Sequence, residues 1–393
     1  MSWSRRAQIG LMASLLLIGT LVGSSIAQTR DPRLADAQEP GSVIVFPKFI
    51  RGSLTVDGVP AQPRTEFSVG IVCPPGNPFH SSCAELTKFK IKFHWVCGTD
   101  ENPISSFVCR EQDFVAFVTM NGKLIFNPEG TTAPGNFVAS TPPCDRGYLI
   151  AWVVDLLDRP IKYDGLVGTA VLRESPTAVM AYKGITIQAD PAAAIQSVIA
   201  TTTVNGVPGS LPFTGAPGAY QALTGVIIAD VEYDKVSAPS HVTNLTLMTL
   251  DVLSNQPNYP TFVPLKFWSA LEDLHSTSVD FVCWQEIGLL GFDPDLTSGN
   301  VGSRKGVMIA GPARKFAIGG INGDTAGPVT LLGLVDTLEG PTVASAPCLA
   351  GTGTTTPPRT PCIPIERTSG NERSFMYEVY NDSIFVPTTF VPF

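Results

Sequence analysis

The sequence predicts a mainly β protein built as two tandem, immunoglobulin-like antiparallel β-sandwich domains. Three observations lead there. Gly (36) and Pro (34) interrupt almost every apolar run of the 393-residue chain, which leaves little room for long helices. Many short stretches carry period-two alternation. And one phrase recurs: "KF", followed 16 residues on by the cysteine of "FVC", at Phe93 to Cys109 and again at Phe267 to Cys283.

The first 27 residues read as a secretory signal peptide. Arg5 and Arg6 supply the positive end, Ile9 to Val22 the short apolar stretch, and Ser25 and Ala27 the small residues before a cut between Ala27 and Gln28. The apolar run is short for a membrane span, which needs about 20 residues, so no stable span is expected after cleavage. Residues 28–41 then form an N-terminal extension, 42–190 the first sandwich domain, 191–221 a linker and 222–393 the second sandwich domain.

The alternation is clearest in "KFKIKFHWV" (88–96). Phe89, Ile91, Phe93 and Trp95 alternate with Lys88, Lys90, Lys92 and His94, the signature of a half-buried strand. The aligned inward positions of the second copy are Val263, Leu265, Phe267 and Ser269. Further strands are expected at 42–46, 67–72, 114–120, 148–154, 168–172, 225–233, 244–253, 305–311, 329–336 and 375–381. A second match, "LIAWVVDLLDRP" (149–160) over "TLLGLVDTLEGP" (330–341), aligns Val154 and Asp155 with Val335 and Asp336 and supports a duplication. The segment 190–220 is rich in Pro, Gly and small residues, as linkers are.

These stretches, "FHWVC…FVC…DF…GYLIAWVVD…RPIKYDGLVGTAVL", resemble repeats of an uncharacterised family of predicted exported Gram-negative bacterial proteins with repeated β-rich domains. The likeness covers 67–172 and, more loosely, 244–341. It implies an exported bacterial protein and brings no catalytic residue with it.

All eight cysteines follow the leader: Cys73, Cys83, Cys97, Cys109, Cys144, Cys283, Cys348 and Cys362. An even count in an exported chain predicts disulfides, and the absence of CxxC argues against a zinc ribbon or a redox pair. Local closure favours Cys73–Cys83, Cys97–Cys109 and Cys348–Cys362. That leaves Cys144 for Cys283, in a bond stapling the two domains, with a buried free thiol beside Trp284 as the alternative.

The charge balance is −8 with only 15% charged residues, and no long basic cluster exists, so nucleic acid is not an expected partner. No motif for a hydrolase elbow, a phosphate loop or a dinucleotide fold is present. The four histidines (His80, His94, His241, His275) form no metal-ligand spacing, and His94 is expected on a solvated strand face. Asp293, Asp295, Thr297 and Asn300 read as a polar turn before a calcium loop. Glu111 and Asp113, with Glu286 after the second FVC, are the carboxylates weighed for glycosidase chemistry, but Asp113 aligns with Ile287. The Lys88, Lys90, Lys92 stripe reads as an exposed face or a guarded edge, and Trp268 as an outward aromatic covered by its surroundings. A terminal Phe393 suits an outer-membrane barrel, but Pro387 and Pro392 break the strand that barrel needs.

The expected function is therefore an exported, disulfide-stabilised structural or binding protein of the cell envelope or extracellular space; its partner is unassigned, a protein or a glycan at the cell surface being the kinds considered. No cofactor, metal or catalytic residue is assigned. The competing reading is an exported hydrolase or a calcium-dependent carbohydrate binder with its site between the domains.

Overall fold

The computed structural model describes residues 39–378 apart from 57–58, 75–80, 85–86, 99–108, 131–138, 175–178, 205–206, 224, 236–239, 251–259, 317–324, 329 and 341–373. The expected signal peptide with Ala27 and Gln28, and the expected Cys348–Cys362 bridge, lie outside these residues. Among the described residues no helix is long and apolar enough to cross a membrane.

The protein is mainly β. Its first half contains β1 (Val43–Ile50), β2 (Ser53–Val56), β3 (Val59–Pro63), β4 (Thr65–Ile71), β5 (Lys88–Cys97), β6 (Glu111–Thr119), β7 (Lys123–Phe126), β8 (Arg146–Val154), β9 (Leu166–Arg173), β10 (Val179–Lys183) and β11 (Ile185–Ile187). The hairpin β12 (Thr202–Val204) and β13 (Val207–Ser210) follows. The second half contains β14 (Ile227–Glu232), β15 (Ser240–Met248), β16 (Thr261–Ser269), β17 (Leu274–Phe281), β18 (Trp284–Gly288), β19 (Lys305–Ala310), β20 (Arg314–Phe316), β21 (Thr325–Pro328), β22 (Leu332–Gly340) and β23 (Ser374–Glu378).

Each half pairs its strands antiparallel into two sheets. The first has the orders β11-β1-β8-β5-β6 and β10-β9-β4-β7. The second has β14-β19-β16-β20-β21, with β17 on the far side of β16, and β18-β15-β22-β23. Eight strands of each half share one connectivity, while β11 beside β1 and β20 and β21 beside β16 have no counterpart. β1, β4, β5, β6, β7, β8, β9 and β10 take the places of β14, β15, β16, β17, β18, β19, β22 and β23. In both halves the first strand of this set pairs with the sixth. An immunoglobulin constant domain instead pairs its first strand with its second.

The alternation read from the sequence sets the faces. Phe89, Ile91, Phe93 and Trp95 of β5 meet Phe46 of β1, Phe67 and Val69 of β4, and Leu172 of β9 in one core between the two sheets. Phe67, Phe93, Trp95, Phe114 and Phe126 stack or tilt against one another there. In the second half Val263, Leu265 and Phe267 of β16 face Leu245, Leu247 and Val335, as the parity requires.

The sequence matches fare unequally. Phe93 and Phe267 do lie on equivalent strands. The FVC cysteines do not: Cys109 precedes β6, whereas Cys283 follows β17. The loop joining β5 to β6 spans 98–110 and that joining β16 to β17 only 270–273, so a gapless alignment slides past one strand. The second match lays β8 over β22, which hold different places in the strand order.

Two cystine expectations are corrected. Cys73–Cys83 forms as expected, but Cys97 bonds to Cys144 and Cys109 to Cys283. Cys97 shares the inward parity of Phe93 and Trp95, and Cys144 packs against that core, whereas Cys109 belongs to a separate core, although the Cys97 amide donates to the neighbouring Arg110 carbonyl. The two FVC cysteines therefore bond to each other, and none of the described cysteines is free.

Candidate functional site: a buried ionic junction between the halves

A third core joins the halves. It contains Val43, Val45, Ile150 and Trp152 from the outer face of β1 and β8, and Met248, Val282, Cys283, Trp284 and Leu332 from the second half. Ile199, Leu211, Phe213 and Tyr220, from the segment read by composition as a linker, are buried in it too.

Lys48, next to the Pro47 that binds Trp284 of this core, is fully buried. β1 reads Val-Ile-Val-Phe-Pro-Lys-Phe-Ile, apolar but for this lysine. Its register against β8 shifts between Phe46 and Phe49, and a bulge of this kind bends a strand and re-aims a side chain. Pro47 lacks an amide to give to the ladder, and its carbonyl instead accepts the indole N–H of Trp284 at 2.9 Å. The Lys48 amide donates to the Tyr182 hydroxyl, and that hydroxyl donates back to the Lys48 carbonyl. Both ends of the bulge are thus occupied, and the side chain points across the junction.

The ammonium meets three carboxylates. Glu174, just after β9, is 2.7 Å away, Glu286 on β18 is 2.5 Å away, and both oxygens of Asp336 on β22 are at 3.3 Å. Arg146, at the start of β8, bridges Glu286 at 2.6 Å and Glu174 at 3.4 Å. Asn244 of β15 donates to Asp336 at 3.3 Å. Two cations thus face three carboxylates, and two of those carboxylates belong to the second half.

The electrostatics follow from burial and pairing. Burial works against the Lys48 charge, but Asp336, Glu174 and Glu286 outweigh it and hold the ammonium far above the usual lysine range. Arg146 is likewise held above its ordinary value, chiefly by Glu286 against burial. Burial alone would raise Glu286, yet Lys48 and Arg146 bring it below the usual range. Asp336 is the exception. Burial raises it to about 6 despite Lys48, with Glu286 and Glu174 adding repulsion.

Chemically this arrangement is an ion cluster with its own counter-cation. Glu174, Glu286 and Asp336 are close enough to hold a metal ion, but the Lys48 ammonium already lies among them. Their side chains are at most 9% exposed, which keeps a substrate of any size away.

The other expected residues are dispersed. His94 is buried, contrary to its expected solvated place: its ring lies 4.7 Å from that of Trp152, beneath the junction core. Glu111 and Asp113 approach it across the sheet at 3.6 and 3.9 Å, while Glu286 is in the distant ion cluster. Lys90 and Lys92 lie on an interior strand and pair with Asp158 and Asp113. In the 293–300 turn, Asp293 accepts the Asp295 amide, Thr297 the Asn300 amide and Asp295 the Asn300 side chain, so those oxygens serve the turn itself. Trp268 is half-buried and lines a groove of about 280 Å³ with Asp230, Ser269, Lys305 and Val307.

Of the junction residues, the sequence reading singled out Cys109, Cys283, Glu286 and Asp336. It passed over Lys48, Arg146 and Glu174. The signal for Lys48 was present: one charge inside an eight-residue apolar run. No family model, curated protein or solved structure matches the chain.

Proposed function

We propose that this chain is an exported structural or binding protein. Its two β-sandwich units act as one rigid body, presenting outer surfaces to a partner at the cell envelope or outside the cell. The observation that carries this reading is the junction. One disulfide, a five-residue ion cluster and a continuous apolar core all span the two halves, which suits a load-bearing or display role. The three disulfides among the described residues fit an oxidising compartment. The shared strand order supports descent of the two units from one duplicated ancestor and keeps the likeness to repeated exported bacterial proteins open as a proposal. Protease treatment and fractionation of intact cells test the address. A processed, oxidised chain in the periplasm or on the surface is expected; an unprocessed chain in the cytoplasm with reduced cysteines contradicts it.

A second reading rests on the groove beside Trp268. An indole next to Asp230, Ser269 and Lys305 offers one apolar platform and several hydrogen-bonding groups, as a sugar ring requires. Glycan-array binding that is lost in Trp268→Ala would support this reading, and equal binding by both proteins would remove it.

A further inference from the structure

The free edge of the first half carries a second surface. β6 ends its sheet, and among the described residues no strand pairs with its outer side. It is long for an edge and regular: all nine residues, Glu111–Thr119, pair with β5 without a register shift. Natural edges are usually blunted by charged side chains, above all lysine, or by proline, a bulge or shortness. β6 has no lysine, proline or bulge, and its two charges, Glu111 and Asp113, lie at one end. Its outward row is Glu111, Asp113, Val115, Phe117 and Thr119; the Glu111 side chain is buried beside His94, while Val115 is 37% and Phe117 56% exposed. Of the lysines opposite that row, Lys90 and Lys92 are drawn to Asp158 and Asp113, and Lys88 lies at the end, opposite Thr119.

The equivalent edge of the second half differs. The outward row of β17, which pairs with Pro264, Lys266 and Trp268, is Leu274, Ser276, Ser278 and Asp280. Only Leu274 is a large exposed apolar residue there. One of two edges with the same place in the fold therefore presents an apolar pair in mid-strand.

We propose that β6 is a homodimerisation edge, at which two copies of this chain pair antiparallel about a two-fold axis through Val115. The strand is complementary to itself in that register. Val115 faces Val115 of the second copy, Phe117 faces Asp113, and Glu111 faces Thr119, so no like charges stand directly opposite. A parallel, in-register pairing would set Asp113 on Asp113 and Glu111 on Glu111, which repels. The antiparallel pair satisfies the outer backbone groups of both edges, joins the two five-stranded sheets into one and packs Val115 against its own copy.

The test uses the full secreted chain. Sedimentation velocity over a concentration series should show a reversible dimer. Val115→Lys, which puts two like charges on the axis, should shift it to monomer at the same concentrations while leaving the melting temperature of dilute protein unchanged. Under mild oxidation Val115→Cys should form a disulfide-linked dimer, and Phe117→Cys, which does not meet itself across the axis, should not. A wild-type chain that stays monomeric throughout, a Val115→Lys dimer as tight as wild type, or equal cross-linking by the two cysteine variants would each overturn the proposal.

Discussion

The two halves share one strand order but are held together by different means. The first contains two local disulfides, Cys73–Cys83 and Cys97–Cys144, and a dense aromatic core around Phe67, Trp95 and Phe126. The described part of the second contains no disulfide of its own, and its Phe267 and Phe292 rings lie 6.5 Å apart. Its one described cysteine, Cys283, bonds outward to Cys109, and its Glu286, Asp336 and Trp284 reach across to Lys48, Arg146 and Pro47. A shared topology thus does not imply equal self-sufficiency. The first unit is stapled within itself, and the second is stapled to the first.

The largest effects should come from the disulfides. Cys109→Ala with Cys283→Ala opens a closure of 174 residues, whereas Cys73→Ala with Cys83→Ala opens one of 10. Chain entropy assigns the first about 5 kcal/mol and the second about 3 kcal/mol. Denaturant titration of the two variants checks that order, and a larger loss from the local bridge would reverse the comparison.

Next comes the ion cluster. Lys48→Met leaves three carboxylates facing Arg146 alone, and removal of one partner from a buried network of this kind costs about 3–5 kcal/mol. Hydrogen exchange of this variant should show the loss concentrated in the second half, as early exchange of β15 and β22 amides while β4 and β5 stay protected.

Asp336 gives a pH signature of smaller size. It titrates at about 6 when folded against 3.8 as a free side chain, so the folded protein holds the extra proton between those values. Its contribution is fully present below the unfolded value and is lost as pH rises through about 6. Glu286, lowered by Lys48 and Arg146, acts in the opposite sense: its contribution is present above 4.5 and is lost as pH falls through its depressed value. Asp336→Asn should therefore abolish the decline in stability between pH 4 and 6 that wild type shows from this group, and thermal melts across that window measure it. An unchanged profile would place the titration elsewhere. The smallest expected effect is that of Trp284→Phe, which removes the hydrogen bond to the Pro47 carbonyl and should cost about 1 kcal/mol.

Much of the fold was legible in local periodicity. β5, β8, β16 and β22 fall where alternation or apolar runs place them, because a strand's two faces are written in its own residues. The junction was not legible, because its partners are far apart in the chain: Lys48 and Asp336 are separated by 288 residues. Reading the first strand as 42–46 stopped at Pro47 and missed that Pro47 and Lys48 form the bulge of a longer strand. The bond between the two FVC cysteines was hidden by a gapless alignment, which made positions on opposite sides of equivalent strands look alike. The expected solvation of His94 failed because a period of two separates faces without saying what covers them.

The central claim is that the junction makes the two halves one cooperative unit, and calorimetry of the intact, oxidised chain tests it most directly. The account predicts a single transition whose calorimetric and van't Hoff enthalpies agree, splitting in two when Lys48→Met is combined with the Cys109→Ala and Cys283→Ala changes. Two separate transitions in the wild-type protein would contradict it.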